Sequence, residues 1–70
     1  MSALVYVVTE MDRDCHQHTI GVFTTLPLAK QKAEEVRSEN SYEMTISTYF
    51  LNSDRWRELY CLDENGWKKY

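Results

Sequence analysis

The chain has 70 residues, which predicts a single domain spanning 1–70, near the lower size limit for a fold without metal or disulfide support. Its 43% hydrophobic and 13% aromatic residues exclude a disordered chain. They supply only one thin core, which a substrate cleft of about 300 Å³ would largely consume, so no enzyme is expected. The net charge of −3 is opposite to that of a typical duplex-binding surface, and no apolar run approaches the about 20 residues of a membrane span.

The first predicted strand covers residues 3–9 and is rich in β-branched and aromatic side chains. It is apolar on both faces, which is typical of a strand that is central in its sheet or covered on both sides. One face carries Leu4, Tyr6 and Val8, and the other carries Ala3, Val5 and Val7.

The polar segment from Glu10 to His18 predicts a loop, longer than the about two to five residues that usually join antiparallel strands. A second strand is predicted over 19–23, with Ile20 and Val22 on one face and Phe23 on the other. Gly21 has no side chain and suggests a bulge or a close approach by the following helix.

A single helix is predicted directly after this strand. Thr25 is a good N-cap residue, whereas Pro27 at the first helical position would make Leu26 the cap, so the start is open by one residue. Two alanines at the centre of the apolar stripe allow a close approach to a sheet, and the helix is expected to end at 38–41 without a glycine. The stripe has spacings of three and four and consists of Leu26, Ala29, Ala33 and Val36.

Residues 42–51 alternate most clearly and predict an antiparallel strand with one buried and one mostly wet face. Residues 52–55 predict a turn. Residues 56–62 fit a short helix or a strand, and the strand is favoured because a short turn makes a hairpin easy to close. Residues 63–66 predict a second turn with positive φ, and 67–70 a final strand or an aromatic tail. The predicted buried face of the 42–51 strand carries Tyr42, Met44, Ile46, Thr48 and Phe50.

Together these elements predict an α+β fold in the order β-β-α-β-β. It is a small antiparallel sheet of four strands, or five if the C-terminal residues join it, with one helix packed on one face. The residues Val-Tyr-Val-Val-Thr at 5–9, Ile-Gly-Val-Phe-Thr-Thr at 20–25 and the helix with its two alanines are followed by a Trp-containing segment at 56–60.

This pattern resembles small phage and bacterial proteins of unknown function over about residues 4–60. Leu26-Pro27 departs from the charged helix formers common there. The resemblance implies a strand at 56–62 and a phage or bacterial source, and it implies no catalytic residues.

Cys15, His16 and His18 are weak candidates for metal ligands, with a neighbouring aspartate as an oxygen donor. Their spacing matches no standard structural zinc pattern, so a solvated loop is the preferred interpretation and no metal or cofactor is expected. A Cys15 nucleophile would need a fixed base and a third orienting group, which adjacent loop residues do not provide. Cys15 and Cys61 are too few for a disulfide scaffold. A bond between the two is open at this point, and reduced thiols are the preferred interpretation.

Aromatic and basic residues concentrate in the second half of the chain. Such residues are enriched at protein-interface hot spots, they also stack single-stranded bases, and some simply complete a small core. The candidate partner-binding residues are Tyr49, Trp56, Arg57, Tyr60, Trp67 and Tyr70.

We therefore expect a non-enzymatic protein-binding module of phage or bacterial origin that binds, and in a phage inhibits, a host protein or defence complex. The alternative is a single-stranded nucleic-acid-binding module that uses the aromatic sheet face. Self-association through that face or a sheet edge is also open. The protein is expected to be cytoplasmic, in the host cytoplasm if phage-encoded, and to have no membrane partner.

Overall fold

A computed structural model describes residues 3–39, 41–63 and 65–70 as a five-stranded antiparallel sheet with one helix on one face. The strand order is β2-β1-β3-β4-β5, so α1 crosses from the edge strand β2 over β1 to β3. The predicted α+β class is confirmed, and the C-terminal residues add the fifth strand. The elements are β1 (Leu4–Asp12), β2 (Gln17–Phe23), α1 (Leu26–Val36), β3 (Ser41–Phe50), β4 (Trp56–Asp63) and β5 (Gly66–Lys69).

The core lies between α1 and the sheet face that it covers, called here the covered face. Val8, Met44 and Ile46 are fully buried there, and each side chain of this kind contributes about 1.5–3 kcal/mol by leaving water. Ala29 and Ala33 are also fully buried, as the alanine-centred stripe predicts. The helix can lie close to β1 and β3 because these two side chains are small.

The cap residues fix both ends of α1. Thr25 is the N-cap with extended backbone, and its hydroxyl accepts a hydrogen bond from the Leu28 amide at 3.4 Å. This settles the start of the helix and places Pro27 at the second helical position, where its missing N–H has no helical partner to lose. Arg37 caps the other end without a glycine, and its N–H donates to the Ala33 carbonyl.

The structure shortens the predicted loop between the first two strands. β1 continues to Asp12 and β2 begins at Gln17, which leaves a connection of residues 13–16. The strands can include the polar residues that predicted a loop, because these residues lie near the end of the sheet and form hydrogen bonds with other polar groups there. Glu10, for example, accepts a hydrogen bond from the Ser41 hydroxyl at 2.6 Å.

A β-bulge corrects the predicted faces of β2. Val8 pairs with Gly21 and Thr9 with Thr19, so Ile20 is the extra residue. Ile20 packs against the core, whereas Val22 lies on the opposite face and is 59% exposed. The close approach at Gly21 is made by the ring of Phe23 rather than by α1, since an added Cβ would lie 3.2 Å from that ring.

A second register shift removes Tyr42 from the predicted buried face. Met11 pairs with Glu43 and Asp12 with Ser41, so Tyr42 falls outside the ladder and is 63% exposed. The strand prediction for 56–62 is confirmed, because β4 pairs with both β3 and β5. Gly66 has the positive φ expected of the second turn, and Glu64, also in that predicted turn, lies outside the described residues.

Candidate protein-binding face

The sheet face opposite α1 is called here the open face, because among the described residues no helix packs on it. Cross-strand register defines two adjacent rows of side chains on this face. The first row runs from β2 to β5, and the second lies next to it on β1, β3 and β4. The first row is Val22, Val7, Ser47, Leu59 and Tyr70, and the second is Val5, Tyr49 and Trp56.

The seven apolar and aromatic residues of these rows, Ser47 excluded, form the open-face patch. Three of them are large side chains in contact with solvent, namely Val22 at 59%, Trp56 at 54% and Tyr70 at 67% exposure. Val5, Val7, Tyr49 and Leu59 are half-buried among them. Contiguous exposed apolar surface on a small protein is typical of an interaction site.

The charged side chains of the open face lie outside the patch. The row next to the patch is Thr19, Thr9, Thr45, Cys61 and Lys68, and the row beyond it contains Glu43 and Asp63. Lys68, the neighbouring cation, lies 3.7 Å from the Asp63 carboxylate. The two rows that form the patch carry no Lys, Arg, Asp or Glu side chain.

Three of the six predicted partner-binding residues come together on this patch. Tyr49 and Trp56 are direct cross-strand partners on β3 and β4. Tyr70 lies beside Leu59, since its N–H donates to the Leu59 carbonyl at 2.8 Å. The three aromatic residues of the patch were therefore all among the candidates selected from the sequence.

Tyr60 and Trp67 lie instead on the covered face, against the core and α1. The Trp67 indole N–H donates to Glu34 at 3.0 Å, and the Lys30 ammonium lies 5.4 Å from the Trp67 ring and 5.7 Å from the Tyr60 ring. These contacts tie β4 and β5 to the helix. Both residues complete the core, which was the alternative role for the aromatic set.

A hydrogen bond holds the Tyr60 hydroxyl in place. It donates to Glu58 at 2.5 Å, and Lys69 lies 3.1 Å from the same carboxylate oxygen. The nearby carboxylate raises the pKa of Tyr60 to about 12. The Tyr60 hydroxyl and then Lys69 lower the pKa of Glu58, so this trio is a structural network with matched charges.

Arg57 is the bulge residue of β4, because Thr48 pairs with Glu58 and Tyr49 pairs with Trp56. Its guanidinium lies 4.6 Å from the centre of the Phe50 ring. Arg57 is thus engaged in a cation–π contact at the margin of the sheet rather than placed in the open-face patch.

Of the candidate metal ligands, Cys15 and His16 lie in the β1–β2 connection and His18 lies in β2, and both histidines contact Asp12. Cys15 is exposed and has a φ of 65°, and Cys61 is buried in β4; both are free thiols. His18 lies 3.1 Å and His16 3.7 Å from one Asp12 carboxylate oxygen. Within the described ranges, no group of three or more His, Cys, Asp or Glu residues is arranged to hold a metal ion.

Asp12 organises this connection. Its other carboxylate oxygen accepts hydrogen bonds from the amides of Asp14 and His16. The His16 amide, followed by the His18 ring, lowers the pKa of Asp12. The two histidines therefore support a turn.

A polar cleft of about 280 Å³ lies at the charged end of the molecule. It contains two arginines and two carboxylates, and one Arg13 N–H is already donated to the Glu39 carbonyl at 2.8 Å. The Ser41 hydroxyl in its lining donates to Glu10 and accepts from the Ser38 amide. Because the positive and negative side chains of this lining balance, the cleft favours neither an anionic nor a cationic ligand. The cleft is lined by Arg13, Arg37, Ser41, Tyr42, Glu43 and Asp63.

The aliphatic half of the patch was not predicted. The second face of β3 was expected to be mostly wet, and Val5, Val7, Val22 and Leu59 were not assigned to a site. One feature of the sequence could have indicated these residues, namely that β1 is apolar on both faces. A single helix can cover only one face of the sheet, so the second apolar face of β1 indicates an exposed apolar surface.

No family model, curated protein or solved structure matches the chain. Among the residues that the structure describes, no helix is long and apolar enough to cross a membrane.

Proposed function

We propose that the protein is a non-enzymatic protein-binding module and that the open-face patch is its contact surface. The observation that carries this proposal is a contiguous apolar and aromatic surface on a sheet face that α1 leaves uncovered. Tyr and Trp side chains bring large contact area at low entropic cost and are enriched at interface hot spots. Trp56, more than half exposed beside Tyr49, is the anchor of the surface.

The charge pattern favours a protein over a single-stranded nucleic acid as the ligand. Base stacking on an open sheet works together with a basic groove that follows the phosphates. The two rows of the patch carry no cation, and the same face ends in Glu43 and Asp63. The nucleic-acid alternative predicts tryptophan quenching on titration with an oligonucleotide at low salt, and we expect none.

The proposal places the protein in a phage or bacterium, where it acts in the cytoplasm by occupying the surface of a host protein or defence complex and thereby inhibiting it. The resemblance of its strand and helix pattern to small phage and bacterial proteins supports this source. The small size of the domain supports action by contact rather than by catalysis, because the core leaves little room for an enclosed substrate site.

Capture from a bacterial lysate with the tagged full chain tests the proposal. We expect Trp56→Lys to weaken capture of the bound protein by at least about 30-fold, since hot-spot residues contribute about 2 kcal/mol or more. Tyr42→Lys is the matched control, because Tyr42 is also an exposed aromatic residue (63%) but lies outside the ladder.

Loss of capture by Trp56→Lys with retention by Tyr42→Lys supports the proposed surface. Equal capture by the wild type and by Trp56→Lys contradicts it. Recovery of free protein alone, from lysate and on co-expression, contradicts the proposed function as a whole.

A further inference from the structure

We infer that the polar cleft binds a small zwitterion of the α-amino acid class, in which one carbon carries a carboxylate and an ammonium group. The cleft lies outside the open-face patch, and its ligand does not depend on the proposed function. Two guanidinium groups and two carboxylates line this one cavity. A ligand that carries both charges is the one that complements such a lining.

The cleft lies where several elements end or begin. Arg13 directly follows β1, Arg37 is the C-cap residue of α1, residues 41–43 open β3 and Asp63 ends β4. The register shift at this place leaves Tyr42 outside the ladder, where it contributes to the lining. Bulges of this kind are over-represented next to active sites, because they re-aim a side chain.

Hydrogen bonds hold two side chains of the lining in position. Ser41 is only 8% exposed, and its hydroxyl donates to Glu10 at 2.6 Å and accepts from the Ser38 amide at 3.1 Å. The Arg13 Nε–H donates to the Glu39 carbonyl at 2.8 Å. Ser41 thus gives the cleft a fixed polar wall. The Arg13 guanidinium is already oriented, which lowers the ordering cost of binding.

The charges of the cleft are not paired across it. Among the residues that the structure describes, neither Arg13 nor Arg37 forms an ion pair, although Glu43 and Asp63 line the same cavity. A ligand carboxylate can accept two parallel hydrogen bonds from a guanidinium. Lys68 already lies 3.7 Å from Asp63, so Glu43 is the carboxylate that would accept from the ligand ammonium group.

Charge balance and volume limit the class of ligand. An anion would gain from the guanidinium groups but would be repelled by the carboxylates, and a cation would meet the reverse. The cavity of about 280 Å³ is just below the about 300–1,000 Å³ of typical small-molecule sites, which fits one small molecule. Because water reaches the exposed side chains of the lining, each charged contact is screened, and a dissociation constant of about 1 mM is expected.

An NMR titration of the full chain at neutral pH tests the inference with three probes that share a phenyl ring and differ in charge. L-phenylalanine carries both charges, hydrocinnamate lacks the ammonium group and phenethylamine lacks the carboxylate. A phenyl ring is chosen because it can pack on Tyr42. We expect L-phenylalanine to shift the amide signals of residues 37 and 41–43. It should bind at least about fivefold more tightly than either analogue, since each analogue loses one charged contact.

Two charge-neutralising variants assign the contacts. Arg37→Gln should weaken L-phenylalanine and hydrocinnamate but not phenethylamine. Glu43→Gln should weaken L-phenylalanine and phenethylamine but not hydrocinnamate. Arg55→Gln and Asp54→Asn are the matched controls, because both residues are exposed between β3 and β4, at the opposite end of the sheet. They should bind the three probes like the wild type, and thermal unfolding verifies that all four variants are folded.

Three results would overturn the inference: no shift of the cleft signals up to about 50 mM L-phenylalanine, at which a site of this affinity is saturated; an analogue that binds as tightly as L-phenylalanine; or binding that survives both Arg37→Gln and Glu43→Gln. None of them affects capture of a protein through Trp56, so the cleft and the open-face patch stand or fall separately.

Discussion

Asp12, the last residue of β1, uses both of its carboxylate oxygens in polar contacts with the β1–β2 connection and with β2. One accepts from the Asp14 and His16 amides at 3.0 and 2.9 Å, and the other faces the His18 ring at 3.1 Å. The first set is a turn geometry that a neutral amide oxygen can reproduce. The contact between the other oxygen and the His18 ring is strengthened by the negative charge of the carboxylate. Substitution can therefore separate the two contributions.

The stability of the protein is expected to depend on the charge of Asp12. The pKa of this carboxyl lies below its ordinary value of 3.8, so the ionised form stabilises the folded state above that pH. The contribution is lost as the pH falls through the lowered folded pKa. Asp12→Asn should be less stable than the wild type at neutral pH, and the difference should shrink as the pH falls through the lowered pKa of the Asp12 carboxyl. Urea unfolding midpoints over the pH series measure this difference.

Asp12→Ala serves as the comparison for the turn geometry. It removes the acceptor of both amides as well as the charge, so it should remain less stable than the wild type at every pH. A gap between Asp12→Asn and the wild type that persists at low pH would show that charge is not the origin of the effect.

Alanine at two positions of α1 controls the distance between the helix and the sheet. Ala29 and Ala33 have no exposed surface and contact the same core as Val8 and Ile46. Interiors of this density tolerate added volume poorly, because neighbouring side chains must leave their preferred rotamers.

Ala33→Leu is expected to destabilise the fold by about 1–3 kcal/mol through overpacking, although leucine is a good helix former. Gln31→Leu is the control, because Gln31 is exposed on the same helix and should change stability by less than about 0.5 kcal/mol. Urea unfolding monitored by tryptophan fluorescence, to which Trp67 against the helix contributes, measures both. Equal stability of the two variants would mean that the helix does not approach the sheet closely.

The elements with regular periodicity were predictable from the sequence, and the irregular positions were not. The spacing of the apolar residues located α1, and strict alternation located β3. Ile20 and Tyr42 were assigned to the wrong faces because each is the extra residue of a bulge. A bulge changes the side-chain alternation without a signal in residue type, apart from the nearby Gly21.

The ends of the elements depend on partners that are distant in the chain. Glu10 and Asp12 read as loop residues, yet they belong to β1 because Ser41 and the following turn satisfy their side chains. The patch is incomplete in the sequence analysis for a similar reason. Val22 and Leu59 are far apart in sequence, and only the order β2-β1-β3-β4-β5 places them in one row.

At the scale of the whole molecule, the protein has one covered and one open sheet face. β1 offers a direct comparison of the two, because Val7 and Val8 are the same residue type on the same strand. Val7 pairs with Val22 and Ser47 on the open face, whereas Val8 pairs with Gly21 and Ile46 beneath α1. Threonine has nearly the shape of valine and a high β propensity. The substitution at either position therefore measures mainly the cost of placing a hydroxyl there.

Val8→Thr is expected to lower the free energy of unfolding by about 1–3 kcal/mol, because its hydroxyl would be buried in an apolar core. Val7→Thr should cost less than about 1 kcal/mol at low micromolar concentration, where water reaches the open face. Thermal unfolding of the three proteins at low micromolar concentration measures these effects. Equal costs of Val7→Thr and Val8→Thr would contradict an open face in the protein.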